Sequence, residues 1–287
     1  MNSAATPHRT RRRLVADGRV RFALAILGTA ALAATLAPLL VTAPPHATGD
    51  VAATRFLPPL STDPSQVFHP LGTDRLGRDV WAQLLYGARV SLATGVLATF
   101  LAVLGGTLVG AVAGVWQGRL GLALMALTDF FLALPRVVLL LVLAALWKPS
   151  GSLVVLVLAL TGWMSVARLV YGEARSLMTR EFIVTARALG AARPRLARRH
   201  VLPNVLTPVV TAAALGLGHA VMLEAGLSFL GLGVQPPAPS WGNMIASGRD
   251  TLVNAPWVAI APGLALVLVV LAASLLGDAL TDHLAEP

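Results

Sequence analysis

The chain has 287 residues, of which 56% are hydrophobic and only 12% charged, with a formal net charge of +9 and no cysteine. Soluble domains carry about a quarter charged residues, so an ordinary soluble fold is excluded, and without cysteine so are disulfides, thiolate metal sites and cysteine nucleophiles. The positive charge does not point to nucleic acid, because the basic residues flank apolar segments, where such charge carries topological information.

Charge-free runs cover 22–49, 90–118, 149–167, 201–223, 225–248 and 251–277. A membrane-spanning helix needs about 20 apolar residues, and these runs have that length. The reading is an all-α polytopic membrane protein with six transmembrane helices. A basic tail, 1–21, carries Arg9, Arg11, Arg12, Arg13, Arg19 and Arg21. The apolar run behind it continues through Leu39 and Leu40, too long for a signal-peptide core. It reads as a retained first helix over 22–43, closed by Pro44 and Pro45.

An outer loop follows over 44–90, rich in Pro, Asp and Gly. Near its end Val80, Leu84 and Leu85 form an apolar face beside Trp81 and Tyr86, behind Asp74, Arg75, Arg78 and Asp79. This predicts a short interfacial helix anchored by the aromatics. The five-helix core, 91–280, places helices over roughly 91–116, 120–146, 152–171, 203–230 and 256–279, and residues 281–287 form a second tail. GRLG at 118–121 and KPSGS at 147–151 read as turns.

With the N-terminus inside, 15 Arg and Lys fall on inner segments against six on outer ones, and Arg136 falls within a span. That bias predicts both termini in the cytoplasm, together with the loop 172–203. Within the second span, Gly106, Gly110 and Gly114 recur at i, i+4 and i+8, a spacing that lets helices approach closely. Asp129 and Arg136 lie two turns apart on the third span, too far to pair along it. Asp129 reads as a structural contact, and Arg136 as packing against another chain or a polar cavity. Glu224 lies in the outer half of the fifth span; intramembrane acids are costly and often functional, so it is a candidate for the translocation path or for a helix contact. His219 is a lone imidazole with no second metal ligand nearby in sequence, weak grounds for a nickel site.

The segment EFIVTARALGAARPRLARRHVLP, 181–203, is basic yet patterned. Phe182, Ala186 and Leu189 recur on one helical face, with Arg180, Glu181 and Arg187 around it. Gly190 suits a helix end because it tolerates a left-handed backbone, and Pro194 suits the start of a second helix. Leu196, His200 and Val201 continue that helix, and Pro203 opens the fifth span. Tied to membrane helices at both ends, such a hairpin is a lever that a soluble partner can grip.

The string EF-x-x-x-ARALGA-x-x-x-x-x-x-RH-x-LPN at 181–204 resembles the cytoplasmic coupling loop of ABC importer permeases. In that family the loop opens Glu-Ala-Ala, has a Gly four residues after the last Ala, and a downstream Leu-Pro. Here Val184, Thr185 and Ala186 fill the opening positions, so only the last Ala matches, while Gly190, Leu202 and Pro203 all match. HPLGTDRLGRDVWAQLLYGARVSLATG, 69–95, and EAGLSFLGLGVQPPAPSWGNMI, 224–245, resemble segments of the dipeptide, oligopeptide and nickel subfamily, specifically its C-type permease chain. Glu224 matches a Glu of that pattern.

The resemblance implies an ABC type I importer permease fold in the inner membrane. The chain itself would carry no cofactor. It has no G-x-x-x-x-G-K-[ST] string, so ATP and Mg would be bound by two cytosolic ABC ATPase subunits. A second homologous permease chain, an extracytoplasmic substrate-binding protein and surrounding membrane lipid complete the expected partners. Phe182, Ala186 and Leu189 would fill a groove of the ATPase; Arg180, Arg187 and Arg198 would meet its acidic rim, with Glu181 and His200 alongside. Gly190 would permit the bend, and Leu202 and Pro203 would pass motion to the fifth span. The implied substrate is a dipeptide or short oligopeptide, with nickel or a metal chelate next. A membrane-embedded enzyme would instead need polar catalytic residues clustered at one depth, and a secondary transporter would show inverted repeats and broken helices.

Overall fold

The structure, a computed structural model, describes residues 16–41, 44–48 and 50–285. Arg9, Arg11, Arg12 and Arg13 of the basic tail lie outside these residues, as does the side chain of Arg136. The first helix, α1, spans Gly18–Leu40. Asp17 caps it by accepting the Arg19 backbone N–H at 2.8 Å, which satisfies one of the free donors of the first turn.

The loop that follows is built from polar turns. A single helical turn, Val51–Thr54, leads to a two-stranded antiparallel ribbon, β1 Ser61–Thr62 and β2 Phe68–His69, in the register Ser61↔His69 and Thr62↔Phe68. The buried Asp74 carboxylate organises the next turn. It accepts the backbone N–H groups of Leu76 and Arg78, the Arg78 Nε at 2.7 Å and the Gln83 amide at 3.1 Å. A buried charge tolerates that position only with such a full set of donors.

Helix α2 then runs unbroken over Val80–Val115, 36 residues capped by Asp79 on Trp81 N–H. This corrects the expected interfacial helix. The residues from Val80 to Tyr86 are the first turns of α2, because nothing between Asp79 and Trp116 breaks the helix. The loop therefore ends at Asp79 rather than at residue 90. At 1.5 Å per residue α2 is about 54 Å long, more than a bilayer core requires.

The expected third span, 120–146, arrives in two pieces, α3 Arg119–Ala133 and α4 Arg136–Ala145. Leu134, between them, is extended with ψ 136°. A residue before proline is pushed out of the helical region, and Pro135 cannot donate back into a continuing ladder. The fourth span, α5, covers Gly151–Met178, seven residues beyond its expected inner end at 171. Among the described residues, five stretches are singly long and apolar enough to cross a membrane: α1, α2, α5, the continuous helix over 193–229, and α10, Trp257–Ala285. Since α2 and α5 end and begin on opposite sides, α3 and α4 together complete the sixth crossing.

Helices α2 and α5 form the most extensive pair, and the glycine spacing explains it. A Cβ added at Gly106 would meet Val166 Cβ at 2.6 Å, and one at Gly114 would meet Ala174 Cβ at 2.5 Å. At Gly110 it would collide with the Ala167 carbonyl. The two backbones touch where any larger residue would hold them apart. The start of α1 and the end of α10 meet on one side of the bundle, through Arg19 to Asp282 at 2.9 Å and His283 to Asp17 at 3.1 Å.

Candidate functional site: the 181–203 hairpin

Helix α6 spans Glu181–Ala188, with Glu181 in the first turn, where a carboxylate complements the helix dipole. Its end is a Schellman motif. Gly190 adopts φ +86°, its N–H donates to Arg187 O at 2.9 Å, and the Ala191 N–H donates to Ala186 O at 3.0 Å. Only glycine takes that backbone angle without strain. The second arm begins at α7, Arg193–Leu196, with Pro194 in its first turn.

The arm does not become a plain α-helix at once. Residues Ala197–Val201 form a π turn in which Leu202 N–H reaches back five residues to Ala197 O. Pro203 explains the shift. It has no N–H to give the Arg199 carbonyl four residues earlier, and at the neighbouring carbonyl Asn204 Nδ2 donates to His200 O at 2.6 Å. From there α8 runs over Leu202–Phe229 into the bundle. Turns of this kind favour functional positions, and this one carries Arg198 and His200.

The face expected to be apolar divides in two. Phe182 is 48% exposed and Leu189 84%, while Ala186 is partly buried against the core. The residue that anchors α6 is Ile183, fully buried and clustered with Met178, Leu196, Val201 and Val205. The 182/186/189 pattern overlooked Ile183, although Ile183, Ala186, Leu196 and Val201 form a second apolar stripe readable in the sequence. Phe182, Val184 and Leu189 are therefore free to meet something outside this chain. Phe182 also packs on His200, ring centroids 5.8 Å apart, joining the two arms.

Around this apolar tip Arg180, Glu181, Arg187 and Arg198 are all exposed, as is Pro203, whereas Leu202 is half-buried. Among the described residues none of these arginines forms an ion pair. Arg168, nearer the bundle, pairs with Asp129, which gives Asp129 the structural contact expected of it. Val184 and Thr185 occupy the places where a Glu and an Ala are usual in the resemblance. Val184 is exposed, and the Thr185 hydroxyl bonds back to Glu181 O at 2.9 Å.

Glu224 is not beside the hairpin. It lies toward the other end of α8, fully buried, accepting the Ser228 hydroxyl at 2.7 Å. Ser228 in turn accepts the Val234 N–H at 3.1 Å, so the pair pins the chain where it leaves α8. The hydroxyls of Ser91 and Ser240 face the same carboxyl group. Helix α9, Trp241–Arg249, follows, with its Trp241 N–H bonded to Ser91 at 3.2 Å. The resembling segments 69–95 and 224–245 thus meet in one packed corner.

The comparison that decides the family covers most of this architecture. Residues 80–286 match the family described as binding-protein-dependent transport system inner membrane component. The chain belongs to that family. The chain is similar to a putative peptide transport system permease protein of Brucella abortus, 37% identical over 96% of this chain and 90% of that protein's length. The dipeptide transport system permease protein DppC of Alkalihalophilus pseudofirmus is 38% identical, over 75% of this chain and 71% of its own. The glutathione transport system permease protein GsiD of Pectobacterium atrosepticum is also 38% identical, over 78% and 74%. In the inward-facing methionine ABC transporter MetNI a chain superposes with a TM-score of 0.56 at 21% identity, covering 68% of this chain and 93% of that one. The fold is that of a type I importer permease. As an inner membrane component of this family, the chain is a multi-pass membrane protein and a transport subunit.

Proposed function

We propose that this chain is the permease through which a binding-protein-dependent ABC importer takes up dipeptides or short oligopeptides. The single observation that carries the substrate class is its similarity, nearly end to end, to a putative peptide transport permease; permeases named for dipeptides and for glutathione agree with it. The chain performs no chemistry on its cargo. ATP and Mg belong to two cytosolic ATPase partners, which act through the 181–203 hairpin. Exposed Phe182, Val184 and Leu189 inside a ring of unpaired arginines support that role: an apolar tip with a basic rim fits a groove with an acidic edge.

In this reading both ends of the chain and the hairpin lie in the cytoplasm, and the 44–79 loop lies outside with the binding protein. The excess of basic residues supports this orientation, as does the pairing of Asp17 and Arg19 with His283 and Asp282 on one side. A second, similar permease chain completes the path. ATP-driven closure of the ATPases moves the hairpin, and the bundle alternates between outward- and inward-open states, each step a bias on a two-state element. Glu224 serves as a helix contact that fixes the outer corner.

The test is purification of the tagged chain from its native membrane, followed by reconstitution in liposomes. Two P-loop ATPases, a second six-helix permease and ATP-dependent uptake of a radiolabelled tripeptide are expected. Recovery of a folded chain with no ATPase would overturn the reading.

A further inference from the structure

At mid-depth, between α2, α5 and α8, lies a cavity of about 400 Å³. Its walls are mostly apolar, and small residues such as Ala102, Gly162 and Gly216 keep it open. Gly216 is close enough to α2 that a Cβ there would lie 3.3 Å from Thr99 Cγ2. Three polar side chains line it: Thr99, Ser165 and His219. At 1.5 Å per residue they sit roughly 28, 21 and 25 Å along α2, α5 and α8 from Val80, Gly151 and Leu202, near the middle of each helix.

Two features are costly unless something polar enters. His219 is exposed on this chain, and an imidazole at the bilayer centre does not face lipid without penalty. Ser165 is exposed on the same wall, and its hydroxyl too loses water's hydrogen bonds if lipid covers it. The donor and acceptor pattern is also defined. His219 Nδ1 lies 3.0 Å from Leu215 O. A carbonyl only accepts, so Nδ1 carries that proton, and Nε2 of the uncharged ring remains an acceptor. The cavity thus offers one ring acceptor and, at Ser165, one accessible hydroxyl able to donate. A peptide unit presents the complement, one N–H and one C=O.

We propose that this cavity is the part of the path in this chain that touches the cargo, and that His219 Nε2 accepts a backbone N–H of the passing peptide while Ser165 donates to one of its carbonyls. The inference rests on the peptide-importer reading and deepens it. It predicts recognition of backbone rather than side chains, which suits cargo of varied sequence. The binding need only be weak, since a path that held peptide tightly would not release it.

The test uses the whole transporter, with partner permease, ATPases and binding protein, in liposomes. Uptake of radiolabelled trialanine is measured beside the ATP hydrolysis stimulated by loaded binding protein. His219→Leu and Ser165→Ala are expected to lower uptake tenfold or more while stimulated hydrolysis stays within twofold. His219→Gln, whose amide oxygen can still accept, is expected to keep at least a third of the uptake. Uptake within twofold of the unaltered transporter in both His219→Leu and Ser165→Ala overturns the inference and leaves the peptide reading standing. No trialanine uptake by the unaltered transporter overturns the peptide reading and the inference with it. Because the chain has no cysteine, Ala102→Cys provides a single thiol. Its modification by a water-soluble maleimide during turnover, slowed by trialanine, is the expected result, and no modification in any state counts against the cavity as a path.

Discussion

Phe182 and His200 face each other across the hairpin at 5.8 Å, one on the first arm and one on the π turn of the second. The contact makes the arms one body, while nearly half of Phe182 stays available to a partner. Its neighbour Ile183 is wholly buried. The two residues therefore separate docking from folding. Phe182→Ala is expected to leave the thermal midpoint of the purified chain nearly unchanged but to lower transport-coupled ATP hydrolysis about tenfold, a loss of roughly 1.4 kcal/mol in coupling. Ile183→Ala removes core volume and is expected to cost about 2–5 kcal/mol of stability. Equal thermal shifts in the two variants would contradict this division of labour.

Gly190 tests the bend. With φ +86° and no atom within 4 Å of where its Cβ would go, the obstacle to a side chain within this chain is backbone strain alone. Gly190→Leu is expected to insert normally and to lose coupled hydrolysis, since it meets both strain and an approaching partner. Gly190→Asn, which tolerates the left-handed region, is expected to recover most of it. Normal coupling in the leucine variant would sink the lever.

The glycines of α2 give a folding prediction. Gly110→Val drives a side chain into the Ala167 carbonyl, and overpacking of this kind costs about 1–3 kcal/mol. Folded yield in detergent should fall. Gly105→Ala, with its nearest neighbour at 3.8 Å, should behave as the unaltered chain does.

Glu224 distinguishes a contact from a path residue. Glu224→Gln, which can still accept the Ser228 hydroxyl, should preserve both the amount of inserted chain and its transport. Glu224→Leu strands that hydroxyl, at a cost of about 1–3 kcal/mol, so less chain should accumulate while transport per inserted molecule holds. The reverse pattern, normal amounts with transport lost, would place Glu224 in the path.

The pairing of the chain's two ends predicts a pH dependence. The Arg19 backbone N–H, with help from its guanidinium and from His283, holds the Asp17 carboxyl down to about 2 from an ordinary 3.8. A depressed carboxyl contributes stability that is complete above its unfolded value and lost as pH falls through its folded value. Between pH 5 and 8 Asp17 should thus contribute no pH dependence, and below about pH 4 its contribution should fade. Asp17→Asn should flatten the thermal midpoint's acid slope in that window, and an unchanged slope would remove Asp17 from the account.

How much of this was legible beforehand depends on the kind of signal. Apolar length placed the spans, and the i, i+4, i+8 glycines placed the α2–α5 contact, because both depend on periodicity along one helix. Gly190 and Pro194 marked the hairpin's turn through their own backbone constraints. The join at the start of α2 was hidden by composition: Val80–Tyr86 read as an interfacial helix separate from the second span, whereas the Asp79 cap starts one helix that runs through Arg89 to Val115. Pro135 announced a break in the third span, but an apolar run of helical length masked it. Ile183 lost to Phe182 because three residues on a helical face do not say which stripe meets the core. His219 and Ser165 lie 54 positions apart, and only tertiary packing brings them to one cavity.

Where glycine lets two backbones touch, no layer of side chains remains to give way. Helices α2 and α5 consequently behave as one solid wall, and the hairpin joins that wall, through the end of α5, to α8 on its far side. In the proposed lever, a pull on the hairpin acts along the line where α8 meets that wall. The cavity holding His219 lies along that seam, so any sliding of α8 against the wall changes its width.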